Sequence, residues 1–208
     1  MGWLDDVLFI ATQDWLSDQE DLSHRASDPH RRVESVEFDE METFEHTKMK
    51  PLSLLLAVES GTRKILGWSV ASMPCKGPLA EKSRKKYGLR KDERSKKGRA
   101  LLESLRPLLS DTAVIVTDSN PHYPGWIKRS LPGVKHVQVE GRKSSTTGQG
   151  ELKKIGFDPI FSLNHTAAMK RANINRLFRK TWCTTKRPDR LEAHLATYVL
   201  FHNQVLTR

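Results

Sequence analysis

The chain has 208 residues, 37% hydrophobic and 29% charged, with a formal net charge of +10. That is a folded rather than a disordered composition, long enough for one good-sized core or one core with a small appendage. Cys75 and Cys183 lie far apart with no CxxC or paired-His spacing, which argues against a disulfide framework or zinc ribbon and points to a reducing, cytoplasmic setting. The apolar run Val7–Ala11 is short and preceded by Asp5 and Asp6, unlike a signal peptide or a membrane span.

Residues 3–16 place Trp3, Leu4, Val7, Leu8, Ala11 and Trp15 on a helical stripe, and residues 17–32 are polar, so 1–32 reads as an acidic N-terminal helix and linker ahead of a domain spanning 33–208. Residues 1–45 carry 13 Asp/Glu and 3 Lys/Arg, a net of −10, which leaves +20 on the rest of the chain. Ten Lys/Arg fall within Lys82–Arg99 and eight within Lys170–Arg190. A field of that strength and clustering favours a polyanionic partner, most often nucleic acid.

Val33–Glu40 alternates like a strand, Leu52–Val58 is a solid apolar run, and Lys64–Ala71 is a third strand, with Ser60-Gly61-Thr62 as the turn before it. Short connections make these a meander. Residues 79–109 read as two helices broken at Tyr87-Gly88-Leu89. Ala113–Thr117 is a fourth strand ending at Asp118, Tyr123–Leu131 a helix, Val134–Val139 a fifth strand and Gly141–Gly150 a flexible loop. Residues 165–182 and 188–203 are the closing helices. The order predicts an α/β fold with a mixed five-stranded sheet flanked by helices.

Phosphodiester chemistry needs Mg²⁺, or Mn²⁺ in its place, to activate water and to neutralise phosphate charge, and such ions take hard oxygen ligands on rigid elements. Asp39 lies near the end of the first strand and Asp118 ends the fourth. If these strands are neighbours, both carboxylates emerge at one sheet edge, where α/β folds bind ligands. Asp118 also reads as an Asx-turn or helix cap before Tyr123, and Asp39 as one acid on a solvated edge strand. Alternation puts Glu37 and Asp39 on one face, with Phe38 and Glu40 on the other.

Asn164 opens a basic helix, with Arg171 two turns along on the same side, and Ala168, Asn175 and Phe178 continuing the stripe. An Asn carbonyl can ligate Mg²⁺ weakly and an Arg can hold phosphate, but Asn164 reads equally as an N-cap. The Lys82–Arg99 cluster supplies Lys85, Lys86 and Arg90 as phosphate-gripping candidates, and the second cluster supplies Lys170, Arg171, Arg179, Lys180 and Lys186. Trp126 and Trp182 suit base stacking or, more simply, core packing. The loop GRKSSTTGQG lacks the P-loop pattern.

The run Phe38-Asp39-Glu40-Met41-Glu42-Thr43-Phe44, then Val116-Thr117-Asp118, then Asn175–Cys183 (NRLFRKTWC) with Tyr198 and His202-Asn203, resembles the catalytic domain of bacterial insertion-sequence transposases of the DDE class. The resemblance covers about residues 33–205. It implies an RNase H-like fold, Mg²⁺ or Mn²⁺ as cofactor, and DNA strand cleavage and strand transfer on transposon ends and target. It also implies a homo-oligomer on double-stranded DNA. The first and second acids fall on Asp39 and Asp118. The third, usually Glu with a basic residue seven positions on, falls on Asn164 with Arg171, and some relatives are similar in carrying Asn there. Glu151 and Glu192 are the alternative sources of a third carboxylate. Relatives usually carry a zinc ribbon or helix-turn-helix ahead of this domain, so the short acidic N-terminus reads as a truncated copy or one that has lost end recognition. The alternative readings are a catalytically weak or inactive DNA-binding remnant and an RNase H-like nuclease.

Overall fold

A computed structural model describes residues 32–140, 158–178 and 183–206. The expected N-terminal helix, the Gly141–Gly150 loop, Glu151, Arg179, Lys180 and Trp182 lie outside the described residues. Within them the chain is α/β, with a mixed five-stranded sheet flanked by helices.

Strands β1 (Val33–Phe44), β2 (Pro51–Glu59) and β3 (Ile65–Ser72) form the antiparallel meander. β4 (Leu109–Thr117) then pairs parallel to β1, and β5 (Lys135–Gln138) parallel to β4. The strand order is β3-β2-β1-β4-β5. The helices are α1 (Ala80–Tyr87), α2 (Arg94–Leu105), α3 (Tyr123–Ser130), α4 (Phe161–Asn173) and α5 (Pro188–Phe201).

Two apolar layers sandwich the sheet. Val36, Phe38, Leu55 and Ala57 pack with Leu101, Leu102, Leu105, Tyr123, Trp126 and Ile127 of α2 and α3. Met41, Leu54, Leu56 and Val58 pack with Leu163, Leu191, Leu195 and Tyr198 of α4 and α5. This explains why β2 reads as an unbroken apolar run: Leu52–Val58 is buried throughout, because helices cover both of its faces. Helix α2 lies close on its neighbours, and a Cβ on Gly98 would stand 2.8 Å from the Trp126 ring.

Two boundaries differ from expectation in ways that matter. β1 runs on to Phe44, paired with β2 down to Phe44↔Pro51, whereas its pairing with β4 stops at Phe38↔Thr117. β1 therefore overhangs β4, and Asp39 is the first residue of that overhang. The helix expected over 165–182 is α4, which begins earlier, at Phe161, and ends at Asn173. It starts earlier because Asp158 accepts the Ile160 amide on its side chain (3.1 Å) and the Phe161 amide on its carbonyl (3.1 Å). It ends at Ile174, whose extended backbone turns Ile174 and Leu177 into the α4–α5 layer. Asn175 and Phe178 accordingly leave the helical stripe predicted for them. Among the described residues no helix is long and apolar enough to cross a membrane.

Candidate active site

Parallel pairing of β1 with β4 and the shared end point Phe38↔Thr117 bring the next residues, Asp39 and Asp118, to the carboxyl edge of the sheet. Alternation turns Phe38 into the α2–α3 layer, where it meets Tyr123 edge-on at 5.3 Å between ring centroids. Alternation assigns Asp39 to the opposite face with Glu37, but at the strand end its carboxylate reaches round to the Tyr123 hydroxyl of that layer.

Asp39 Oδ1 accepts the Tyr123 hydroxyl (2.8 Å) and the Glu40 amide (2.6 Å). Burial nevertheless pushes its pKa up to about 6, and the charges of Asp118 and Glu40 add to that rise, against the lowering effect of the two hydrogen bonds. The Tyr123 hydroxyl is itself held far above its usual range by burial and by the adjacent carboxylates, so it stays a donor.

Asp118 sits in a braced turn. Its Oδ1 accepts the Asn120 amide (3.0 Å), its carbonyl takes Thr117 Oγ1 (2.9 Å) and Gln138 Nε2 (3.1 Å), and Gln138 also donates to the Asn120 carbonyl. The Asx-turn anticipated from sequence is thus present, and it fixes Asp118 rather than consuming it. Asp118, Ser119, Asn120 and Glu140 line an open groove at this edge. Behind the pair, Glu40 accepts Arg94 (3.2 Å), Asn120 (3.4 Å) and Ser53 (2.6 Å), tying β1, β2, α2 and the Asp118 turn together. Asp92 holds the same guanidinium at 2.7 Å.

Asn164 is placed differently from expectation. It is in the first turn of α4 rather than at its cap, and its side-chain Nδ2 donates to Asp158 Oδ2 (2.8 Å). The neighbouring Leu163 amide donates to buried Glu37 (2.7 Å), so the start of α4 is pinned to β1 two residues before Asp39 on the same face. Burial raises the Glu37 carboxyl above its usual range, with the Asp158 charge as a smaller contribution. No hydrogen bond joins Asn164 to Asp39 or Asp118 among the described residues. Glu192 pairs with Lys97 (3.3 Å), whose ammonium also reaches the Val70 carbonyl on β3. With β2 intervening between β3 and β1, Glu192 is not placed to complete the acid pair.

The charge clusters divide. Lys85 and Lys86 are exposed on α1, and Lys186 is exposed beside His46 (3.4 Å). Arg171 is half-buried on α4. Arg90 turns inward onto the carbonyls of Met73 and Pro51 and onto Ser72 Oγ. Lys170 is fully buried, which corrects its assignment to a surface that grips phosphate. Its position on the stripe with Thr166, one turn earlier, faces the core rather than solvent. Trp126 is likewise a core residue, packed on Tyr123.

For a divalent ion, the donor chemistry fits: Asp39 Oδ2, Asp118 Oδ2 and the Asn164 carbonyl are hard oxygens, and burial of the Asp39 charge, with the Asp118 charge as a smaller contribution, is a cost that a cation offsets. Among the described residues no third His, Cys, Asp or Glu gathers with the pair as a ready metal cluster. Sequence reading missed Tyr123, Glu40, Arg94 and Glu140. Tyr123 was discoverable, since a Tyr opening the helix that follows a strand-end acid lies at the same edge; the Glu40–Arg94 contact crosses 54 residues and leaves no local signal. No protein-family model and no curated protein matches the chain.

Proposed function

We propose that this chain is an RNase H-like catalytic domain of the DDE transposase class, acting on double-stranded DNA by metal-dependent phosphoryl transfer. The observation that carries the reading is the pair Asp39 and Asp118, brought together where two adjacent parallel strands stop pairing, with burial raising the Asp39 pKa to about 6. The strand order, a meander beside two parallel strands, supports the fold assignment. The exposed lysines of α1 and Lys186 support a polyanionic substrate.

In this reading Asp39, Asp118 and the Asn164 carbonyl hold Mg²⁺ or Mn²⁺. The bound ion supplies Lewis-acid charge at the phosphate and lowers the pKa of the attacking hydroxyl or water. Tyr123 and the Glu40 amide fix Asp39 on one oxygen and leave the other open. Asn120 does the same for Asp118. Arg94, spent on Glu40 and Asp92, acts as a structural cation and not as a phosphate ligand. The same reading takes the protein as a homo-oligomer on DNA that holds transposon ends and target in one complex.

Purified protein incubated with Mn²⁺ and a labelled duplex tests the assignment. Wild type nicks the duplex, Asp118→Asn falls by at least about 100-fold, and equal nicking by both would overturn it. The second reading, a DNA-binding remnant without chemistry, draws on the neutral Asn164. Calorimetric titration with Mn²⁺ separates the two, because the remnant binds no ion through Asp39 and Asp118.

A further inference from the structure

The junction between α1 and α2 joins a basic helix to a rigidly anchored, exposed tip. Helix α1 buries only Ser83, whose hydroxyl donates to the Met49 carbonyl (2.6 Å). Its exposed side chains include Lys82, Arg84, Lys85 and Lys86, with Glu81 the single acid, and Lys91 follows. Gly88 turns the chain at φ +75°, and the next residue, Leu89, stands 85% exposed. Such a tip would normally be mobile, but Arg90 directly behind it is riveted: three hydrogen bonds reach Met73, Pro51 and Ser72, and Glu45 lies at 3.6 Å. Tyr87 in front is held between the ammonium groups of Lys50 (5.0 Å) and Lys86 (5.4 Å).

The location matters as much as the construction. Met49, Pro51 and Glu45 mark the β1–β2 turn, at the end of the β1 overhang that begins with Asp39. Phe44 lies five steps along the strand from Asp39, roughly 17 Å. The basic junction and the acid pair therefore occupy the same end of the sheet.

We propose that Leu89 is a wedge that enters a base step of duplex nucleic acid while the α1 and Lys91 cations hold the flanking phosphates. An apolar side chain on a rigid, strongly basic tip has the form that unstacks one step and kinks a duplex. A lipid surface answers to the same charge, but a single leucine with no apolar helix face behind it makes a poor membrane anchor. The proposal rests on nucleic acid being the partner at this edge, and not on the chemistry there.

Short duplexes with 2-aminopurine replacing successive adenines report unstacking, and chelator keeps any cleavage silent. Wild-type full-length protein raises the fluorescence at one or a few positions, as does Asp118→Asn. Leu89→Ala abolishes the rise and weakens binding about fivefold, while Lys85→Glu with Lys86→Glu weakens binding through a salt slope lower by about two. A saturated complex without a fluorescence rise, or a rise that survives Leu89→Ala, overturns the wedge. Leu89-dependent binding to phosphatidylserine vesicles combined with Leu89-independent duplex binding overturns it too. Metal-dependent nicking is read separately, so the wedge can fail while the proposed chemistry stands, and the reverse.

Discussion

Among the described residues Asp39 and Lys170 are both ionisable groups shifted by burial, and they resolve the conflict in opposite ways. At the sheet edge Asp39 takes two hydrogen bonds on one oxygen and feels the charge of Asp118, which lines an open groove. On α4, Lys170 is fully buried, and among the described residues its ammonium nitrogen has no hydrogen-bond partner, nor has Thr166 Oγ1 one turn earlier. Burial brings the Lys170 pKa down to about 7. Close by, burial keeps His202 below its usual range, with the Lys170 charge as a smaller contribution, while His202 itself bonds the Arg63 carbonyl (2.9 Å). A shifted pKa alone does not make a site. The acid pair has an outlet, a cation or proton arriving from solvent, whereas Lys170 can only lose its proton. In the proposed reading the first is a place where a bound cation would offset the cost of burying charge; the second is a standing cost to the fold.

The largest effect expected from breaking this contrast is at Asp39. Asp39→Asn lowers Mn²⁺-dependent nicking by at least about 100-fold and stabilises the ion-free protein by about 1–3 kcal/mol near neutral pH. The sign follows from the raised pKa. Between 3.8 and about 6 the folded state holds more protons than the unfolded one, so wild-type stability is lost as pH rises through that window. Thermal melts in chelator across pH 3.5–8 check it, and a variant no more stable than wild type would count against a burial cost on the Asp39 charge. Lys170 runs the other way. Its folded value of about 7 lies below the usual 10.5, so stability rises with pH between the two. Lys170→Met removes that slope and stabilises the protein by about 1–4 kcal/mol at pH 7, with nicking unchanged. A destabilised Lys170→Met would mean that the ammonium has a partner in solution.

The sheet and the acid pair were legible because their signals are local. Apolar runs at Leu52–Val58 and Ala113–Thr117 leave little choice but strands, and an acid that ends such a run must lie at a strand end. Lys170 was not legible, because charge counting treats every lysine in a basic helix alike. Its burial follows from the phase of α4, which is set by Asp158 and by the Leu163–Glu37 bond across 126 residues. The same shift of phase moved Asn164 from a cap into the first turn. Arg90 misled for a similar reason, its anchoring carbonyls belonging to strands far back in the chain. Patterning exposes elements; only their docking decides which polar side chains are spent inside.

Tyr123→Phe probes the acid side more gently. The hydroxyl lowers the Asp39 pKa through its hydrogen bond, so its loss moves the acid limb of the nicking profile to higher pH and destabilises the fold by about 1 kcal/mol. The limb staying in place would show that Tyr123 only packs. The smallest expected change in stability is at Asn164, and it carries the most information per residue. Asn164→Ala removes one exposed hydrogen bond to Asp158 and costs about 0.5–1 kcal/mol whatever the site does. If the Asn164 carbonyl is an ion ligand, the same change also weakens Mn²⁺ affinity by roughly tenfold, the loss of one neutral oxygen donor. Asn164→Asp sharpens the outcome. A second carboxylate at 2.8 Å from Asp158 is repelled in chelator and relieved by an ion, so its melting temperature rises with Mn²⁺ more than wild type's does. No difference between the two in that Mn²⁺ response would restrict the site to Asp39 and Asp118, and with them to a two-acid centre.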